Sequence, residues 1–76
     1  MTHYLRFVST TDARPFDSEY EAVKEAQTII SRQKGFAGRV ASRDGEKILI
    51  HDKAGQLVDG FWVEDDAGNH VHIAIV

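Results

Sequence analysis

The sequence contains no cysteine, only one proline and one tryptophan, and no long run of apolar residues. Without cysteine the chain cannot form a disulfide framework or a thiolate site, so we expect a protein of the reducing cytoplasm. No apolar stretch approaches the roughly 20 residues that span a bilayer, and no basic and apolar leader begins the sequence. We therefore predict neither a membrane anchor nor an export signal.

The chain has 76 residues, which is too few for two ordinary hydrophobic cores. A domain of this size buries only about 60% of the surface that its unfolded chain exposes. We therefore predict a single domain over residues 1–76, with a small core.

Charge is unevenly distributed along the chain. Residues 1–43 contain seven Lys and Arg against five Asp and Glu, whereas residues 44–76 contain two against seven. This asymmetry leaves two interpretations open, a polarised binding surface or ordinary solvated loops. The net charge of −3 and the lack of a strongly basic stripe argue against binding of free nucleic acid.

One amphipathic helix is predicted from about residue 18 to residue 34. Ser18 with Glu21 three residues later is a capping-box pattern, and Asp17 is the alternative N-cap. Gly35 is predicted to end the helix in a left-handed conformation. Apolar residues at three- and four-residue spacings form one stripe on this helix: Ala22, Val23, Ala26, Ile29 and Ile30.

Short apolar stretches separated by turns predict a sheet around this helix. Tyr4–Val8 is the first strand, and residues 9–15, which hold the only proline, form a loop before the helix. After the helix, turns that contain Gly near Asp join four stretches into a meander: 36–42, 47–51, 57–64 and 71–76. The predicted class is α+β in two layers, with one helix on a mainly antiparallel sheet of four or five strands in the order β-α-β-β-β-β.

A single helix covers only one face of such a sheet. Val71, Ile73 and Ile75 alternate in the last stretch with His70, His72 and Ala74, which predicts that the three larger apolar residues face the core. Gly60 is predicted to mark a β-bulge. The uncovered face would carry an apolar patch suited to dimerisation or partner binding, drawn from Tyr4, Val8, Trp62, Val76 and either Ile48 with Ile50 or Leu49.

Motifs of enzyme chemistry are missing from the sequence. No serine lies in a nucleophile elbow, and no glycine-rich phosphate loop joins a strand to a helix, so we predict no enzymatic activity and no cofactor. His51, His70 and His72 could supply imidazoles for zinc if neighbouring strands bring them together, and the alternative is a polar strand face. The acidic residues 64–66 could form a cation site or an acid/base pair, but they coincide with a turn.

Four basic residues lie near the predicted junction of the helix with the next strand. Arg32 and Lys34 flank opposite edges of the apolar stripe, and Arg39 and Arg43 share one strand face by the two-residue period. We predict that these four residues contact a partner. The alternative is that they complement the helix dipole and solubilise the surface.

The decapeptide Ser31–Val40, SRQKGFAGRV, resembles part of a known family. Following a short strand and a helix that begins near an acid, it is similar to the helix-to-strand junction of small phage anti-CRISPR proteins that inhibit the type I-F Csy complex. The resemblance implies a non-enzymatic inhibitor that binds the Cas7 backbone of a type I crRNA-guided surveillance complex of the Cascade/Csy kind, in the host cytoplasm, and blocks hybridisation of target DNA. Arg32 and Lys34 match the family's basic contact positions, whereas Gln27 and Thr28 stand where the family has basic residues.

A second resemblance concerns residues 16–26 and 48–57, which are similar to a small bacterial domain family of unknown function. It implies the same α+β class and no known activity. The alternative functional hypothesis is therefore a homodimeric regulatory or structural module that associates through the uncovered sheet face around Trp62.

Overall fold

The computed structural model describes residues 1–75, which form one helix and a six-stranded sheet. All strand pairs in the sheet are antiparallel. The predicted α+β class is confirmed, and the predicted order β-α-β-β-β-β is found with one further strand before the helix. The elements are β1 (His3–Phe7), β2 (Ala13–Phe16), α1 (Glu19–Ala37), β3 (Val40–Asp44), β4 (Lys47–His51), β5 (Leu57–Asp65) and β6 (His70–Val71).

The sheet is organised around β5, its longest strand. The strand order is β2-β1-β5-β4-β3, and β6 also pairs with β5. The first half of β5 pairs with β4, whereas its second half pairs with β1 on one edge and with β6 on the other. β4 and β6 therefore occupy the same edge of β5 one after the other.

The edge strand β2 lies where a loop was predicted. It pairs with β1 from His3 opposite Phe16 to Arg6 opposite Ala13. Pro15 has no N–H to donate to a sheet ladder, and this is tolerated because β2 is the outermost strand on its side. The prediction of a loop was wrong for these residues. An edge strand needs neither a strong alternation of apolar and polar residues nor a backbone N–H donor at every position.

The start of α1 is confirmed at Ser18, the N-cap. Its backbone is extended, with φ of −141°, and its hydroxyl accepts a hydrogen bond from the backbone N–H of Glu21 at 3.2 Å. The end of the helix was predicted three residues too early, because Gly35 lies within α1. Gly38, with φ of 61°, is the left-handed residue that ends the helix, and its N–H donates to the carbonyl of Gln33.

The two glycines at this end of the helix give a matched prediction about stability. Gly35→Ala is expected to raise the free energy of unfolding by about 0.5–1 kcal/mol, since alanine is favoured in helices and nothing lies near the new Cβ. Gly38→Ala is expected to lower it by about 1–2 kcal/mol, because φ is positive there. Urea unfolding of both variants checks the prediction, and the opposite order of stability would place the helix end at Gly35.

The core lies between α1 and the face of the sheet that the helix covers. Ile48 and Ile50 are buried in this core, so Leu49 is the β4 residue on the open face, which decides between the two predicted arrangements. Buried apolar side chains of the helix, the strands and the C-terminal segment meet here: Leu5, Ala22, Ala26, Ile30, Ile48, Ile50, Phe61, Val63 and Ile73.

The predicted bulge at Gly60 is misplaced. Gly60 pairs regularly with Leu49, and the register shift lies between Ile50 and His51, where Val58 of β5 has no partner. Gly60 is required for a different reason, because the side chains of Leu49 and Val8 lie over it. A Cβ at this position would be 2.9 Å from Leu49 Cδ2 and 3.0 Å from Val8 Cγ2.

The C-terminal segment, residues 72–75, leaves the sheet after β6. Ile73 is fully buried, whereas Ile75 is 39% exposed, so the predicted core face holds for Ile73 and only in part for Ile75. The guanidinium of Arg43 donates to the carbonyl of Ile73, and Gln27 Nε2 donates to the carbonyl of Ala74 at 3.2 Å. The predicted strand over 71–76 is thus wrong for residues 72–75, because β4 already occupies the edge of β5 there; its last residue lies outside the described part.

Candidate functional site

The four predicted partner-binding residues do not form one patch. Lys34 and Arg39 line the same groove, in which Ile30, Val40, Ala41 and Ile75 supply apolar surface. Arg32 lies on the other flank of the helix, beside Thr28 and Phe36. Arg43 lies at the far end of β3, where it contacts the C-terminal segment. The structure therefore separates the set into one pair and two single residues.

The pair of Lys34 and Arg39 forms the most concentrated positive charge of the set. Arg39 is half-buried, and its Nη1 donates to the side-chain oxygen of Gln33 at 2.6 Å. Its backbone N–H donates to the carbonyl of Gln33 at 3.2 Å. Within residues 1–75 neither Lys34 nor Arg39 forms an ion pair with a carboxylate. The charge of this pair is therefore not offset by a direct carboxylate contact from the described chain.

A second space is also lined by Arg39. We name it the Arg39 cavity, and it has a volume of about 170 Å³. Gln33 and Asp59 lie at its polar side with Arg39. Its apolar lining combines the first strand, the helix and the two central strands: Phe7, Ile29, Ile50, Val58 and Phe61.

The carboxylate of Asp59 at this cavity is already engaged by the protein. It accepts hydrogen bonds from the backbone N–H and the hydroxyl of Ser9, at 3.2 and 2.9 Å, and from the backbone N–H of Gly60 at 2.7 Å. These bonds tie the segment after β1 to β5. No sequence pattern predicts this cavity, because its apolar lining comes from four elements that only the tertiary fold brings together.

Arg32 lies in a different environment from Arg39. Its side chain lines a shallow groove on the outer surface of α1 together with Lys24 and Phe36. Phe36 is 92% exposed, the largest exposed fraction among the large apolar residues within residues 1–75. An exposed aromatic ring beside a guanidinium is the composition of a protein contact, because aromatic residues and Arg are enriched in interfaces.

Arg43 has a structural role within this chain. One of its guanidinium nitrogens donates to the carbonyl of Ile73, and another lies 3.5 Å from the carbonyl of Gly45. It pairs with Ile48 in the β3–β4 ladder, on the face that the helix covers. Its contribution to any partner contact is therefore restricted by the bonds that it makes to the backbone.

The open face of the sheet differs from the predicted apolar patch around Trp62. The indole Nε1 of Trp62 donates to Glu64 at 2.8 Å, and the ring of His70 stacks on the indole with centroids 5.8 Å apart. The ammonium of Lys47 lies 4.9 Å from the centroid of the Trp62 ring. Polar neighbours therefore cover much of the tryptophan. The exposed apolar surface lies at the other end of the face, on Val8, Val40 and Leu57.

Two of the three candidate histidines, and the acidic turn, form contacts within the described part of the chain. His72 Nδ1 lies 3.2 Å from Glu46, and His70 stacks on Trp62. In residues 1–75 no group of three or more His, Asp or Glu side chains is arranged to hold a metal ion. The carboxylate of Asp65 accepts hydrogen bonds from the backbone N–H groups of Asn69 and Ala67, and the bond from Asn69 has the larger effect. These bonds lower the pKa of the Asp65 carboxyl and stabilise the turn.

Comparison with protein-family models, with curated proteins and with solved structures finds no match for this chain. No helix in the described residues has the length and hydropathy of a membrane span.

Proposed function

We propose that this chain acts by binding a protein surface, and that its partner is a type I crRNA-guided surveillance complex. In this proposal the protein is a non-enzymatic anti-CRISPR inhibitor that occupies the Cas7 backbone and prevents target DNA from hybridising. The resemblance of residues 31–40 to small phage anti-CRISPR proteins suggests the partner. The observation that supports the mode of action is that Lys34 and Arg39 line one groove with no carboxylate paired to either in residues 1–75.

Lys34 and Arg39 have the properties of a central contact. The groove places two cations around apolar side chains, and charged groups that are desolvated by a partner contribute more than charges at a solvated rim. Arg39 is also held in place by Gln33, so less side-chain freedom is lost when a partner binds. We assign the main energetic contribution to this pair.

Arg32 and Arg43 take different parts in the proposed contact. Arg32 and the exposed ring of Phe36 extend the surface on the opposite flank of the helix. Arg43 acts mainly by holding the C-terminal segment, residues 72–75, in place, because its guanidinium donates to the carbonyls of Ile73 and Gly45. The contact surface is thus the C-terminal half of α1 and the start of β3.

The experiment that tests this function is a pull-down of the tagged protein against purified type I surveillance complexes, with and without prior loading of target DNA. We expect stable binding that decreases when DNA is loaded first, since both would occupy the same path. A Phe36→Ser variant should bind more weakly. Thr10→Ser, in the exposed loop between β1 and β2, serves as the control. Absence of binding to every complex would refute the proposed partner.

A second function, homodimerisation through the open sheet face, is favoured by one observation. Val40, His51 and Leu57 lie side by side across β3, β4 and β5, with Val40 and Leu57 more than half exposed. Two exposed apolar side chains on either side of a histidine offer a surface for association with a second copy. Light scattering over a range of protein concentrations tests it: a dimer that Leu57→Lys dissociates would support this function, and a strict monomer at high concentration would refute it.

A further inference from the structure

The Arg39 cavity has the size of a single side-chain pocket. Apolar cavities of about 150 Å³ hold a molecule as large as benzene, and this one has about 170 Å³. Pockets for drug-sized ligands begin at about 300 Å³, so the cavity is too small for a nucleotide or a large cofactor. It fits one leucine-sized or phenylalanine-sized group.

On the polar side of the cavity, Arg39 has the largest number of unused N–H donors within residues 1–75. Asp59 accepts from Ser9 and Gly60, and the side-chain oxygen of Gln33 accepts from Arg39. A guanidinium has five N–H donors, and within residues 1–75 only one side-chain bond from Arg39 is found. The complementary acceptor for such a planar donor is a carboxylate, which binds two of its N–H groups at once.

Arg39 and the apolar side chains line the same small space, so the carboxylate and the apolar group of a ligand must lie close together. In an extended chain, neighbouring side chains point to opposite sides, so an internal Asp or Glu next to an apolar residue would point away from the cavity. An α-carboxylate is attached to the same carbon as the apolar side chain. A C-terminal residue therefore brings both groups to one small site.

We propose that the Arg39 cavity binds the C-terminal apolar residue of a partner protein, with its α-carboxylate on the Arg39 guanidinium and its side chain against Ile29, Ile50 and Phe61. This inference rests on the proposed protein-binding function and adds to it the chemical feature that the partner presents. Nothing in the chain's own motifs indicates this pocket, since Phe7, Arg39 and Phe61 are far apart in the sequence.

Nuclear magnetic resonance titration of the isotope-labelled full chain with N-acetyl-leucine tests the proposal. We expect saturable shifts at the Arg39 Nε–H, the Ser9 amide and the Ile29 and Ile50 methyl groups, with a dissociation constant on the order of 1 mM. N-acetyl-leucine amide lacks the charge and N-acetyl-glycine lacks the side chain. Each should bind at least about threefold more weakly.

Two variants make the test specific to the site. Arg39→Gln should abolish the preference for N-acetyl-leucine over its amide, while Lys24→Gln, an exposed change on the outer helix surface, should preserve it. Val58→Phe, at a partly exposed position of the lining, should fill the cavity and prevent the methyl shifts. Equal binding of acid and amide, or no shifts at the cavity, would overturn the proposal.

The titration with N-acetyl-leucine and the pull-down test different parts of the proposal. Binding to a surveillance complex without N-acetyl-leucine shifts would leave the proposed function standing and refute the pocket. N-acetyl-leucine shifts without binding to any surveillance complex would support the pocket and refute the proposed partner complex.

Discussion

Replacing Ile73 with alanine is expected to lower the free energy of unfolding by about 2–5 kcal/mol. Ile73 is fully buried although its segment belongs to neither a helix nor a strand. Truncation of a buried isoleucine removes apolar contacts and leaves a cavity that the surrounding core fills only in part. At about 0.05–0.15 kcal/mol per residue, a chain of this length has only about 4–11 kcal/mol of stability. The variant should therefore be partly unfolded at urea concentrations at which the unchanged protein is still folded.

Ile75→Ala is the matched control for this prediction. It removes the same atoms two residues later, at a position that is 39% exposed and lines the groove beside Lys34. We expect a loss below about 1 kcal/mol, because much of this side chain is already in water. Urea unfolding monitored by Trp62 fluorescence and circular dichroism measures both variants. Equal losses would mean that residues 72–75 do not pack against the core as described.

Charge reversal at Arg39 is expected to weaken binding to the surveillance complex by about 2–5 kcal/mol, or roughly 30-fold and more. The reason is that a carboxylate would replace a half-buried guanidinium beside Lys34 and would meet the acceptors that the guanidinium is proposed to bind. Competition binding of Arg39→Glu against the unchanged protein measures the effect. Circular dichroism of the variant shows whether the loss of the Gln33 bond alters the fold.

Lys47→Glu is the matched control for Arg39→Glu, since both change the net charge by the same amount. The Lys47 ammonium lies over the Trp62 ring on the open face of the sheet, outside the proposed contact surface, and forms no ion pair within residues 1–75. Similar losses for the two variants would indicate a general electrostatic effect and would contradict the proposed contact. Arg32→Glu and Lys34→Glu, tested singly, then show which flank of the helix faces the partner, because the two residues lie on opposite flanks.

Structural features that depend only on residues close together in the chain could be predicted from the sequence. The N-cap at Ser18 was found because capping needs only a hydroxyl and a backbone N–H three residues later. β4 was predicted with the observed bounds, since alternation of apolar and polar residues is set by the pleat of the strand itself. The α+β class followed from one helical period and several two-residue periods.

The end of the helix shows where local signals compete. Gly35 and Gly38 both offer a left-handed stop, and the residues between them, Phe36 and Ala37, suit either a helix or a strand. The structure continues α1 to Ala37 and begins β3 at Val40. The resembling decapeptide, residues 31–40, therefore contains the last turns of the helix and its cap, with the strand starting only at its final residue.

The sequence by itself determined the secondary-structure class, the start of the helix and the presence of four basic residues near its end. Tertiary structure alone decided that β2 completes the sheet, that residues 72–75 enter the core, and that Lys34 and Arg39 share a groove from which Arg32 and Arg43 are separated. Strand order and the packing of distant segments decide which side chains meet, and these depend on contacts between residues far apart in the chain. A periodic pattern assigns a side chain to a face, but only the fold decides what lies opposite that face.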